Sequence, residues 1–136
     1  YYHGGNVSPG RGWVMVWAKE LDANQLVKSM ERGEFYASTG VVLDEVRYDQ
    51  GSRKHLIEIT PMEGVDFETQ FIGTRRSTPD TTGEVFATVS GPIAEYQLSG
   101  DELYVRAVIT STRKHPNPSY SDQKEQAWTQ PIGWRK

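Results

Sequence analysis

Gly33-Glu34-Phe35-Tyr36-Ala37-Ser38-Thr39-Gly40 (GEFYASTG) marks the point where the apolar period of this sequence changes. Before it the spacing is helical. After it the spacing is 2, the signature of strands with one buried face. On the N-terminal side, Asp22 is a good N-cap and Gln25, three residues on, completes a capping-box pattern. Leu21 and Leu26 stand at staple positions, and Leu26, Val27 and Met30 form an apolar stripe that predicts packing onto a sheet. Gly33 sits where a left-handed residue ends a helix, so the spacing predicts a helix over 23–32. Upstream, Trp13-Val14-Met15-Val16-Trp17 is a continuous apolar run, which predicts a strand buried on both faces. Residues 1–12, rich in glycine, read as loop.

On the C-terminal side short alternating segments repeat. Glu34–Thr39 is extended, Val41–Tyr48 is strand-like, and 49–52 is a turn. His55, Ile57 and Ile59 share one face, with Leu56 and Glu58 opposite. Phe67, Thr69 and Phe71 alternate, as do Val85, Ala87 and Val89, and then Ala94, Tyr96 and Leu98. Tyr104–Ile109 is apolar enough to be central, and the last strand spans Lys124–Thr129. The expected fold is mainly β, an Ig-like antiparallel β-sandwich preceded by a short strand–helix–strand segment. The division drawn is 1–40, a leader that looks like the end of an α/β domain, and 41–136, the sandwich. Ser111–Gln123 joins two strand signals with polar, proline-containing residues and reads as a long surface loop.

The 136 residues suit one domain, and 36% hydrophobic with 24% charged residues suits a folded globular chain. The absence of cysteine excludes disulfides, thiolate metal sites and cysteine nucleophiles. The net charge of −3 gives no global field for nucleic acid. Charge is uneven: up to Leu103 there are 9 Lys/Arg against 16 Asp/Glu, and from Tyr104 onward 6 against 2. The basic tail comes as pairs, not as a phosphate-tracking run. No apolar stretch approaches the ~20 residues of a membrane span. No signal peptide is visible, and the compartment stays open, a secreted or periplasmic bacterial setting included.

Chemistry is sparse. His3, His55 and His115 form no HxH or HExxH pair. His55 reads as a packed histidine, His115 as exposed in the long loop, and His3 as the one histidine that could neighbour a metal. Asp44-Glu45 and Asp101-Glu102 are adjacent on the chain, so their carboxylates diverge. Ser38-Thr39-Gly40 lacks a nucleophile elbow, because Tyr36 stands where its first glycine is needed. Gly10-Arg11-Gly12 lacks the remainder of a phosphate loop. Trp13, Trp17 and Trp128 read as core or interdomain packing, whereas Tyr120 and Trp134 are the better candidates for exposed aromatics. Tyr120, Trp134 and His115 are therefore the ligand-binding candidates, for a carbohydrate or another cell-surface ligand. No residue is assigned a catalytic, cofactor-binding or metal-ligating role.

The words from Gly10 to Ala18, the capped helix, and Gly33–Val41 resemble the region that follows the metal site in PHP-type (polymerase and histidinol phosphatase) metal-dependent hydrolases. The similarity is to the branch that contains carbamate-insecticide hydrolases. Tyr104–Ile109 and Ala127–Ile132 extend it, in order, along the chain. The resemblance implies a bacterial parent phosphoesterase with divalent metals that activate water. It also implies an Asp-x-His metal motif just before Tyr1, with His3 as its neighbour. On that reading this chain is a non-catalytic accessory region whose partner is the PHP catalytic domain. The apolar Trp13–Trp17 run, left bare without that domain, predicts homodimerisation of the isolated chain.

Overall fold

The computed structural model describes residues 10–133. Strand β1 (Trp13–Val16) leads through helix α1 (Ala23–Arg32) to β2 (Phe35–Ser38). Seven further strands follow: β3 (Leu43–Asp49), β4 (Lys54–Ile59), β5 (Phe67–Arg75), β6 (Glu84–Ser90), β7 (Ile93–Gln97), β8 (Glu102–Lys114) and β9 (Lys124–Thr129). They form a large six-stranded sheet in the order β1-β2-β9-β8-β5-β6 and a small three-stranded sheet in the order β3-β4-β7. Every pairing is antiparallel. The fold is a mainly β sandwich, as the alternation predicts. Among the described residues no helix is long and apolar enough to cross a membrane.

The core follows from the alternation. Val105, Ala107 and Ile109 of β8 have no exposed surface, and neither do Phe71 of β5, Ile57 of β4 and Ala94 of β7. β8 is central, bonded to β5 on one side and β9 on the other. Gly73 of β5 is required by this packing, because a Cβ there would overlap the Tyr104 carbonyl and the Phe86 ring. The small sheet lies over the β5–β6 side of the large one. Tyr96 of β7 stacks on Phe71 and Phe86, with ring centroids 5.4 and 6.0 Å apart.

The crossover from large to small sheet is made by the GEFYASTG segment. Tyr36 is buried, and its hydroxyl accepts the Leu43 N–H at 2.9 Å, where β3 begins. Ser38 Oγ donates to the Val41 carbonyl at 2.6 Å and accepts the Gly40 N–H at 3.0 Å. Thr39 pairs with Gln126 of β9 through its backbone N–H (2.9 Å) and through its hydroxyl, which accepts the Gln126 N–H at 2.8 Å. Gly40 has φ 151°, and a Cβ there would overlap the buried Glu125 side chain.

α1 has the predicted ends. The Asp22 carboxylate accepts the N–H groups of Asn24 and Gln25 at 3.0 and 3.1 Å. Gly33, at φ 79°, closes a Schellman motif: its N–H reaches the Met30 carbonyl and that of Glu34 reaches the Ser29 carbonyl. The helix does not pack as its stripe predicts. Ser29 is buried and Leu26 partly so, but Val27 is 55% and Met30 45% exposed. Nor is Trp13–Trp17 buried on both faces. Among the described residues β1 is an edge strand that pairs with β2 alone, and Trp13 is 45% and Val14 46% exposed. A continuous apolar run signals burial only where layers cover both faces, and the described residues supply neither layer here. The loop after β8 is also shorter than predicted. β8 continues through Ser111–Lys114 past an irregularity in its pairing, and Lys114 opposes Lys124, which leaves 115–123 as the turn.

Tyr36→Phe is expected to leave the buried Leu43 N–H unpaired and to cost about 1–3 kcal/mol. Gly40→Ala is expected to cost at least as much through overlap with Glu125. Urea midpoints compared with the parent chain measure both, and an unchanged midpoint for both variants would refute the pinning role of the crossover.

Candidate functional site

Cross-strand pairing sets which β1 side chains face inward. Trp13 opposes Ser38 and Met15 opposes Tyr36, so Trp13 and Met15 lie on the same face of the large sheet as the buried Tyr36 and Ser38. Trp17 continues that face, with its ring centroid 5.0 Å from that of Tyr36. The small sheet does not extend over this part. An apolar stripe of Trp13, Met15 and Trp17 is therefore exposed on what would otherwise be the inside of the sandwich. Exposed Leu21, Val27 and Met30 of the helical segment add to the uncovered apolar surface. Sequence reasoning found these residues and assigned them to packing; the bare stripe becomes legible only once the unequal sheets are known.

Where the bare part of the large sheet meets the edge strand β3, a cleft of about 930 Å³ opens. Trp17, Tyr48, Gln50, Gln130 and Ile132 are among its lining residues, and His55 also lines it. Two of the carboxylates of the lining are held in ion pairs, and Asp44 is hydrogen-bonded to a neutral hydroxyl. Arg32 holds Glu34 at 2.6 Å, Glu45 holds Arg47 at 2.9 Å, and Asp44 accepts the Thr60 hydroxyl at 2.6 Å. The Arg32 hydrogen bond lowers the Glu34 pKa. On the opposite face of the large sheet, Tyr104, Arg106 and Trp128 line a shallower depression of about 540 Å³.

His55 is fully buried, as its place on the apolar face of β4 predicts. Its ring meets Phe71 edge-on, with centroids 5.6 Å apart. Neither ring nitrogen has a hydrogen-bond partner among the described residues. Burial disfavours the charged imidazolium and pushes the pKa down to about 4. Sequence reasoning expected a packed, hydrogen-bonded histidine, so the missing partners are new information.

His115 is not exposed as predicted; it is buried. Its Nδ1 accepts the Asn117 N–H at 3.0 Å, which leaves Nε2 to donate to the Arg11 carbonyl at 2.8 Å. Arg11 returns to the same turn through Ser119 Oγ at 2.9 Å. With both nitrogens committed, His115 clasps the turn to the incoming chain. Tyr120 is 62% exposed, in keeping with its reading. His3 and Trp134 lie outside the described residues.

The carboxylate pairs diverge. Asp101 accepts from Ser77, whereas Glu102 turns inward and accepts from Tyr96 Oη at 2.7 Å and from the N–H groups of Ser99 and Gly100 at 3.1 and 2.9 Å. Burial opposes ionisation of Glu102, but the hydrogen bonds from Tyr96, Ser99 and Gly100 outweigh it and hold the pKa at about 2. Burial, followed by the hydrogen bond to Glu102, raises Tyr96 to about 12. Glu102 thus caps the turn before β8. Among the described residues no group of three or more His, Cys, Asp or Glu side chains could hold a metal ion. The metals that the family resemblance implies do not fit the described residues, and no step through a metal is assigned to them.

These two groups predict an acid-stability profile. The depressed His55 pKa means that the unfolded chain takes up the proton first. Its contribution is complete above the ordinary value of 6.5 and is lost as pH falls from 6.5 to about 4. The loss amounts to about 3 kcal/mol. The Glu102 contribution is complete above 4.5 and is lost between 4.5 and about 2. Urea unfolding at stepped pH is expected to show both stages, with His55→Leu abolishing the upper one. An upper stage that persists in that variant would exclude His55 as its source.

Comparison of the chain with protein-family models, with curated proteins and with solved structures finds no match.

Proposed function

We propose that this chain is the non-catalytic accessory β region of a PHP-type metal-dependent phosphoesterase or related hydrolase. It docks on the catalytic domain through the bare face of β1 and the exposed side of α1. Sequence words along the chain support the family. The observation that carries the docking role is the inward-type stripe Trp13, Met15 and Trp17, exposed on an edge strand beside Val27 and Met30. A contiguous apolar surface of this kind marks an interaction site rather than scattered surface residues. The unpaired edge of β1 adds backbone donors and acceptors to which a further strand can bond. In this role the region braces the rim of the catalytic site and shapes substrate access, while the divalent metals and their ligands belong to the catalytic domain.

A panel of phosphomonoesters, phosphodiesters and carboxylic esters with Mn²⁺, Zn²⁺ or Fe²⁺ is expected to give no turnover with this chain alone. Metal-dependent turnover would overturn the non-catalytic assignment. The coding sequence ahead of Tyr1 is expected to contain Asp-x-His, and its absence would remove the family. Sedimentation velocity of the isolated chain is expected to show concentration-dependent association that Met15→Lys with Val27→Glu abolishes. A chain that stays monomeric at high concentration would count against a sticky docking face.

A further inference from the structure

We propose that the cleft between the bare part of the large sheet and the edge strand β3 binds a neutral, hydroxyl-bearing ring, a saccharide unit, with Trp17 as its stacking platform and His55 at its floor. The site differs from the exposed Tyr120 in the β8–β9 turn; it shares Trp17 with the docking stripe and adds His55, Tyr48, Gln50 and Gln130, which the docking role leaves unexplained.

Volume, charge and an unmet hydrogen-bonding demand converge on this ligand class. At about 930 Å³ the cleft falls within the range of small-molecule sites. Trp17 rests against Tyr36 yet remains 36% exposed while lining the cleft, so an aromatic surface is held rigid and open. A sugar ring presents C–H groups to such a surface. Glu34 is paired with Arg32 and Glu45 with Arg47, while Asp44 is hydrogen-bonded to the neutral Thr60 hydroxyl and keeps its charge. An anionic ligand would find no unpaired cation among these groups and would face the Asp44 carboxylate. The remaining polar capacity, the amides of Gln50 and Gln130 and the imidazole of His55, is neutral.

His55 provides the second, independent observation. A fully buried imidazole with both nitrogens unpartnered is costly, and native interiors rarely retain one without use. A neutral imidazole offers one donor and one acceptor, the complement of a hydroxyl group, which also offers both. His55 lies beside its cross-strand neighbour Tyr48, which is half-buried and also lines the cleft. Rotation of the Tyr48 side chain admits a ligand hydroxyl, or a water that bridges to it, and satisfies the imidazole. The orphaned nitrogens of the free chain then become part of the affinity.

The test titrates the intact chain with cellobiose, maltose and N,N′-diacetylchitobiose, and with glucuronate as the charged control. Tryptophan fluorescence and the ¹⁵N shifts of the His55 imidazole are followed together. At least one neutral disaccharide is expected to bind saturably and to move the His55 signal, with glucuronate about ten-fold weaker or worse. Trp17→Ala is expected to weaken binding about ten-fold, the loss of one aromatic contact. His55→Leu, which keeps the core filled, is expected to weaken it about five-fold, the loss of one neutral hydrogen bond. Melting curves confirm that each variant is folded, and His55→Phe serves where His55→Leu is not. No saturable response from any neutral disaccharide overturns the proposal. So does binding of unchanged strength in Trp17→Ala, or binding of glucuronate at equal strength. Loss of the proposal in this way leaves the docking role standing, because Met15→Lys with Val27→Glu tests that role without touching the cleft floor.

Discussion

The sandwich depends on one short crossover. Between Tyr36 and Leu43 the chain leaves the large sheet and starts the small one, and three side chains fix the path. Tyr36 supplies the acceptor for the first N–H of β3, Ser38 closes the turn on Val41, and Thr39 ties the turn to Gln126 of β9. Gly40 lets the backbone pass against Glu125 at a place where no side chain fits. Because β9 is bonded to central β8, the crossover is anchored to the strand with the most buried face. The position of β3, and with it the whole small sheet, follows from that anchor.

From that position comes the asymmetry that gives the molecule its candidate surfaces. Six strands face three. Ring contacts of Tyr96 and His55 place the small sheet over β5 and β6, and the β1 edge of the large sheet is left bare. The same face that buries Ile109 and Phe71 at one end exposes Trp13 and Met15 at the other. A sheet face is apolar along its whole length when something covers its whole length. The bare stripe and the cleft are thus one consequence: the stripe is the uncovered face, and the cleft is the step where cover begins.

Much of this fold was legible in the sequence, for a physical reason. Period-2 alternation and glycine-rich turns are local signals, and they located β3 through β9 and the central place of β8. Asp22 and Gly33 act within one helical turn, so the helix ends were legible too. What failed was every inference about what lies on the far side of a residue. WVMVW reads the same whether its cover belongs to this chain or to a partner. Polar, proline-containing residues after Thr110 hid the continuation of β8, because strand pairing there is set by the partner strand. His115 looked exposed in a polar segment, but Arg11, distant in sequence, closes over it. The cleft was illegible for the same reason, since its walls come from β3, from the segment after β9 and from the region around α1.

Three buried titratable side chains show how differently one fold can treat a polar group. Glu102 is surrounded by donors and stays ionised down to about pH 2, so its burial orders the turn before β8. His115 uses both nitrogens, one as acceptor and one as donor, and thereby ties the β8–β9 turn to Arg11. His55 has neither arrangement. If its role were packing alone, leucine in its place would avoid the desolvation of two unpaired nitrogens at similar volume. Of the three, His55 is the one that lines the cleft, and its unpaired donor and acceptor are the groups on which the saccharide proposal rests.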